Sequence, residues 1–217
     1  MTRQPALPYV LPFAAFFALL GIQQLVPVPQ PLRFVLIGAI LLIFSRHLLR
    51  SQFVNPTGSV LLGVAVFAIW IGPDLLFPGY RDFWLFSNGV MGHPVSSMDA
   101  GRKTDTWFLI FRVLTSVVTV PILEELFWRG WLMRWLIDHN FERVPLGSYT
   151  AESFWIVALL FASEHGSYWE VGLLAGVAYN WWMIRTKNLW DCILAHAVTN
   201  ACLAAYVIGW GRWQYWL

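Results

Sequence analysis

Charged side chains are scarce in this sequence. They make up 12% of its 217 residues, whereas hydrophobic residues make up 58%. Because soluble domains carry about 25% charged residues, this composition indicates a protein that spans a membrane several times. The net charge is only +2, and basic residues do not cluster among aromatic ones. The predicted partner is therefore the lipid bilayer, and nucleic acid is not a predicted partner.

Cysteine is almost absent as well. Cys192 and Cys202 fall in one predicted helix, roughly 15 Å apart along its axis, which is too far for a disulfide. They therefore indicate no redox compartment. Near the start of the chain, only Arg3 precedes an apolar run that no Ala-x-Ala site follows, and we expect this run to be an uncleaved first span.

Uniformly apolar runs follow one another along the chain. Barrel strands would need alternating apolar and polar residues, which these runs lack. We therefore predict an all-α fold, a polytopic transmembrane helical bundle of about six to eight spans. We expect a single integral membrane domain over 1–217, with N-terminal spans and a polar loop in 1–106 and a catalytic core in 107–217. The predicted spans are 7–26, 32–44, 58–77 (broken near Pro73), 107–120, 154–162, 169–184 and 189–210.

Positive charges near the span ends indicate the orientation only weakly. Arg46 and Arg50 follow the second span, against the lone Arg33 before it, and this favours a cytoplasmic N-terminus. Arg102 and Lys103 would then lie outside, against the same rule.

Two adjacent acids and a base interrupt the apolar sequence 121–134. Ionisable groups at the bilayer centre cost about 2.5–3.5 kcal/mol, so they usually face the bundle interior and serve a function. Glu125 and Arg129, four residues apart, share one helix face and can pair, whereas Glu124 is turned about 100° away and stays free. Pro121 is expected to start the helix, with Glu124 in its first turn. An interfacial helix with ordinary surface charges is the alternative.

Two later apolar segments each carry a histidine with a partner four residues away. Phe161 precedes His165, and His196 precedes Asn200. Taken singly, such residues are typical of hydrogen bonds between membrane helices. Glu164 is expected at a water-facing helix end.

Taken together, these residues suit hydrolysis. Glu124 and a histidine on either side of one water molecule can deprotonate and orient it. A second histidine and an amide can donate to the developing oxyanion, where one donor is worth about 10²–10³-fold in rate. Because no Gly-x-Ser-x-Gly occurs, activated water is the simpler nucleophile.

The motifs Glu-Glu-x-x-x-Arg, Phe-x-x-x-His and His-x-x-x-Asn, in this order, resemble those of the CPBP family. That family includes type II CAAX prenyl endopeptidases and bacterial relatives linked to bacteriocin processing or immunity. The resemblance covers roughly 121–204, and the first half of the chain matches only in being hydrophobic. Residues 120–130 resemble the bacterial branch associated with exosortase sorting systems, which implies a bacterial inner membrane.

The resemblance implies an intramembrane glutamic endopeptidase that needs no cofactor and no metal. Its substrate would be a membrane-embedded or membrane-tethered protein. Glu124 with His165 would activate water, and His196 with Asn200 would form the oxyanion hole. The implied supporting residues are Glu125, Arg129 and Phe161, the last of which would pack beneath His165. Glu164 and the short chain depart from the family pattern, so a prenylated CaaX substrate is not expected.

Two other hypotheses fit the same residues. Glu124, His165 and His196 are acceptable zinc ligands, although no His-Glu-x-x-His occurs. A non-catalytic membrane binding or immunity-type protein would use the polar residues only to join helices. A transporter is less favoured, because the chain has no paired broken helices in repeated halves.

Overall fold

The chain folds into α-helices joined by short connections. The computed structural model describes residues 4–49, 52–96 and 98–216, and within these ranges it contains no β-strand. The predicted all-α fold is confirmed. The eight α-helices of the described residues are α1 (Leu7–Gln23), α2 (Gln30–Ser45), α3 (Pro56–Leu76), α4 (Ala100–Thr104), α5 (Thr106–Trp135), α6 (Ala151–Ser163), α7 (Trp169–Thr186) and α8 (Leu189–Trp210).

Three helices are long and apolar enough to cross a membrane, namely α3, α5 and α8. Helices α1, α2 and α6 are apolar but shorter. The chain is therefore an integral membrane helical bundle. Against the six to eight spans expected, the described residues provide three helices of full length and three shorter apolar ones.

Helix α5 is the element around which the others pack. Its second half contacts α1, α6 and α8, and its first half contacts α2. Helix α8 packs along α3, and α7 packs along α6. These contacts bring the three motif-bearing helices, α5, α6 and α8, to one centre.

Local sequence sets where several helices begin and end. Asn55 accepts a hydrogen bond from the Gly58 amide, and a proline follows it at the first position of α3. Thr150 opens α6 in the same way, and Asn188 opens α8. Helix α8 ends at Gly211, whose φ of +65° suits a residue without a side chain.

The prediction that Pro121 starts a helix is wrong. Helix α5 runs unbroken from Thr106 to Trp135, and Glu124 lies deep inside it rather than in a first turn. A proline lacks the amide that a regular turn needs, and the turn just before it is π-helical, over Thr115–Thr119. There the amide of Val120 bonds to the carbonyl of Thr115. The wider turn lets the helix pass the proline.

Two further expectations need correction. Helix α3 does not break near Pro73 but continues to Leu76, because the Phe77 amide donates to the Pro73 carbonyl at 2.9 Å. Arg33 is not a flanking loop charge: it lies inside α2 and is 2% exposed. Arg3, which precedes the predicted first span, and Arg50, used for the predicted orientation, lie outside the described residues.

Candidate active site

The two adjacent acids lie where α5 is enclosed by its neighbours. Glu125 is fully buried, and Glu124 is 8% exposed. π-helical segments lie on both sides of them, at Thr115–Thr119 and Leu126–Leu132. Because π-helical turns are rare and frequent at functional sites, this stretch of α5 is the first place to look for chemistry.

Glu125 and Arg129 form an ion pair, as their four-residue spacing predicts. The distance from Arg129 Nη1 to Glu125 Oε1 is 3.1 Å, and neither side chain is exposed. Arg129 also donates to Asn180 Oδ1 at 2.9 Å and to the Gly176 carbonyl at 3.2 Å, both on α7. Its guanidinium lies 4.6 Å from the centre of the Phe161 ring. Arg129 therefore joins α5 to α6 and α7.

His196 on α8 meets both acids. Its Nδ1 lies 2.9 Å from Glu125 Oε1, and its Nε2 lies 4.0 Å from Glu124 Oε2. Since an ionised carboxylate can only accept, Nδ1 carries the proton of the first contact. Nε2 is then the atom that faces Glu124. Glu125 thus orients His196 as well as pairing with Arg129, a link that the sequence spacing did not predict.

The Glu124 carboxylate has no hydrogen-bond partner on its inner oxygen. Oε2 is buried and unpaired among the described residues. Burying a carboxylate oxygen without a partner is costly, so such an atom in a native fold indicates a site for water or substrate. The structure leaves this oxygen beside His196 Nε2.

His165 lies against the Phe161 ring. Its Nδ1 lies 2.8 Å from the Phe161 carbonyl, so Nδ1 donates and Nε2 is free to accept a proton. The ring centres of Phe161 and His165 are 4.9 Å apart, and those of Phe161 and His196 are 6.0 Å apart. Trp70 on α3 flanks His165 at 5.3 Å. Among the described residues no contact joins His165 to Glu124, whose Oε2 lies 4.0 Å from His196 Nε2.

Asn200 lies one turn beyond His196 on α8. Its Nδ2 donates to the Ser116 carbonyl in the π-helical segment of α5 at 2.7 Å. An amide group has two N–H donors, so one remains for another acceptor.

Glu164 lies at the end of α6, as expected, and its side chain is partly buried. Its Oε2 is buried and has no hydrogen-bond partner among the described residues. Its charge also interacts with that of Glu124.

Two site residues on α7 were missed. The Tyr179 ring stacks on His196 with centres 5.1 Å apart, and its hydroxyl donates to Thr199 at 2.8 Å. Asn180 holds Arg129 and also donates to the Phe154 carbonyl at 2.8 Å. An amide inside an apolar run was the available signal, since such groups usually bond between membrane helices.

A metal centre does not emerge from this arrangement. Over residues 4–49, 52–96 and 98–216, no three His, Cys, Asp or Glu side chains are grouped as metal ligands would be. Cys192 and Cys202 are both free.

Comparison with known proteins identifies the region that carries this site. Residues 106–202 match the family model described as type II CAAX prenyl endopeptidase Rce1-like. Over these residues the chain is similar to that family. The match covers α5 to most of α8, and therefore all of the motif residues, and the predicted family resemblance is confirmed there. No curated protein and no solved structure is significantly similar to the chain.

Proposed function

We propose that this protein is an intramembrane glutamic endopeptidase that hydrolyses a peptide bond of a membrane-embedded or membrane-tethered protein. The observation that carries the proposal is the unpaired Glu124 Oε2, buried 4.0 Å from His196 Nε2. The family description, which names an endopeptidase, supports the same reaction class. The proposed catalytic residues are Glu124, His165, His196 and Asn200.

In the proposed reaction, Glu124 removes a proton from water while the oxygen attacks the carbonyl carbon. His165, whose Nε2 is free to accept, orients that water. The proton on Glu124 then passes to the leaving amine, and the C–N bond breaks. Water supplies both the hydroxyl group of the new acid and the hydrogen of the new amine.

His196 and Asn200 are proposed to stabilise the tetrahedral oxyanion. Since Nδ1 of His196 already donates to Glu125, Nε2 must also be protonated to donate to the oxyanion. Glu125 stabilises that doubly protonated ring by its negative charge. The second N–H of Asn200 adds a donor one turn away.

A second function has one observation in its favour. Asn200 and Thr199 both bond to carbonyls on other helices, at Ser116 and Gly63. Such bonds also suit a non-catalytic membrane binding or immunity-type protein. Glu124 argues against this function, because its buried oxygen joins no helices.

The test replaces Glu124 with glutamine, which keeps the shape and removes the base. Membrane proteins are compared between cells of the source organism with the wild type and with Glu124→Gln, and the uncleaved substrate that accumulates is identified. Cleavage of that substrate by the purified enzyme in liposomes should fall by about 10²–10⁴-fold. Glu152→Gln, at an exposed position on α6, is the matched control. Retained cleavage in Glu124→Gln would exclude the proposed mechanism.

A further inference from the structure

A small cavity between α1, α2 and α5 lies apart from the acids. Its volume is about 210 Å³. Apolar side chains of α1 form one wall, and polar side chains of α2 and α5 form the other. The lining residues used here are Phe16, Leu20, Gln30, Arg33, Arg112 and Ser116.

Arg33 is the unusual residue of this cavity. It is 2% exposed, and its Nε and Nη2 have no hydrogen-bond partner among the described residues. A buried charge without a partner is strongly unfavourable. The planar guanidinium offers its donors as a fork that matches the oxygens of a carboxylate or phosphate. An oxyanion in the cavity would satisfy both free nitrogens.

Arg112 on α5 brings a second positive charge to the same cavity. Its guanidinium lies 5.4 Å from the centre of the Trp216 ring. An anion in the cavity would satisfy the unpaired nitrogens of Arg33, and Arg112 adds positive potential beside them. The cavity is therefore built for a negative group.

The cavity lies near the bundle end where α2 and α5 both begin. Gln30, the first residue of α2, lines it and also lines an outer cleft of about 590 Å³. That cleft contains Arg102 and Trp107 at the start of α5, and Trp107 is 70% exposed. Exposed tryptophan at a helix end is typical of the membrane–water interface, where lipid headgroups lie.

We propose that this cavity binds the headgroup phosphate of an anionic phospholipid. Arg33 and Arg112 contact the phosphate, and Phe16 and Leu20 on α1 face an acyl chain. Basic pockets between membrane helices bind anionic headgroups in this way. None of the lining residues is a proposed catalytic residue, and Ser116 is the one whose carbonyl also accepts a hydrogen bond from Asn200.

The experiment compares the full chain in nanodiscs of phosphatidylcholine with and without phosphatidylglycerol. We expect phosphatidylglycerol to raise the Tm of the wild type and to be retained about tenfold over phosphatidylcholine when bound lipids are measured by native mass spectrometry. Arg33→Gln should lose both effects. Arg46→Gln, which removes the same charge at the exposed far end of α2, should keep them.

Several outcomes would overturn the proposal. One is a wild-type Tm that does not respond to phosphatidylglycerol. Another is an equal response in Arg33→Gln, which would mean general surface attraction. Inorganic phosphate giving the same Tm rise in phosphatidylcholine would assign the site to a soluble anion, and a peptide carboxylate doing so would assign it to substrate. If Arg33→Gln does not fold, the lipids bound to the wild type and to Arg33→Lys are measured instead. Equal retention of phosphatidylglycerol and phosphatidylcholine by both proteins would overturn the proposal.

Discussion

Glu125 holds His196 by a hydrogen bond of 2.9 Å between Oε1 and Nδ1, with both side chains inside the bundle. The same oxygen pairs with Arg129. One buried carboxylate thus fixes a cation of its own helix and an imidazole from α8. We infer that the two adjacent acids of α5 have different roles. Glu125 positions Arg129 and His196, and Glu124 faces the space where water would react.

Replacing Glu125 with glutamine should destabilise the fold as well as abolish cleavage. The change leaves Arg129 without its counter-charge in a dry environment. Removing one partner of a buried ion pair costs about 3–5 kcal/mol. Unfolding of the purified protein in detergent, followed by loss of helical circular dichroism, measures this cost.

Glu124→Gln is the matched control for that measurement. Its Oε2 accepts no hydrogen bond from another helix among the described residues, so its loss should change unfolding by less than about 1 kcal/mol. Equal destabilisation by the two substitutions would contradict the division of roles and favour a scaffold.

Only one of the two contacts of Glu125 can be predicted from the sequence. Its pairing with Arg129 is local, and helix periodicity is enough to predict it. Its bond to His196 joins two residues that are 71 positions apart in the chain. No local spacing predicts which of the two acids the imidazole contacts.

Both proline predictions failed for a shared physical reason. Proline removes one amide donor and crowds the preceding turn, a cost of about 3 kcal/mol in a helix interior. In lipid, ending a helix exposes several backbone groups, so continuing it past one lost bond is preferred. Pro73 and Pro121 accordingly lie within α3 and α5.

Asn180→Ala should destabilise the site, although Asn180 is not one of the proposed catalytic residues. Asn180 holds Arg129 at 2.9 Å and ties α7 to the Phe154 carbonyl. Its loss leaves a charged donor of Arg129 unsatisfied, which should lower the unfolding free energy by about 1.5–3 kcal/mol.

Asn200→Ala is the comparison: it should reduce cleavage by about 10²–10³-fold, because it removes an oxyanion donor. An Asn200 variant with normal turnover would remove this residue from the catalytic set.

Glu164→Gln should alter cleavage without abolishing it. The Glu164 charge acts on Glu124 through space, and a glutamine at 164 leaves the water-activating group in place. We expect a rate change below about tenfold, the effect of roughly 1.4 kcal/mol on the barrier. Rates of Glu164→Gln and Glu124→Gln in the same liposomes are compared. Equal losses would mean that both acids take part in the proton transfer.

Chelators should leave cleavage unchanged. The proposed nucleophile is activated by Glu124 with His165, and no step assigns a role to a metal. The check is turnover before and after dialysis against a strong zinc chelator, with the metal content of the purified enzyme measured in parallel. Stoichiometric zinc whose removal stops turnover would instead favour Glu124, His165 and His196 as ligands.

Gly63→Ala should loosen the contact that positions His196. Helix α3 approaches α8 so closely there that an added Cβ would lie 2.5 Å from the Ala195 carbonyl and 2.7 Å from Val198 Cβ. Because backbone cannot move aside cheaply, we expect a loss of about 1–3 kcal/mol in unfolding free energy, with lower turnover. Gly72→Ala, in the same helix but with open space around it, should be neutral or stabilising by up to about 1 kcal/mol. Equal stability of the two variants, measured by unfolding in detergent, would contradict this close approach of α3 and α8.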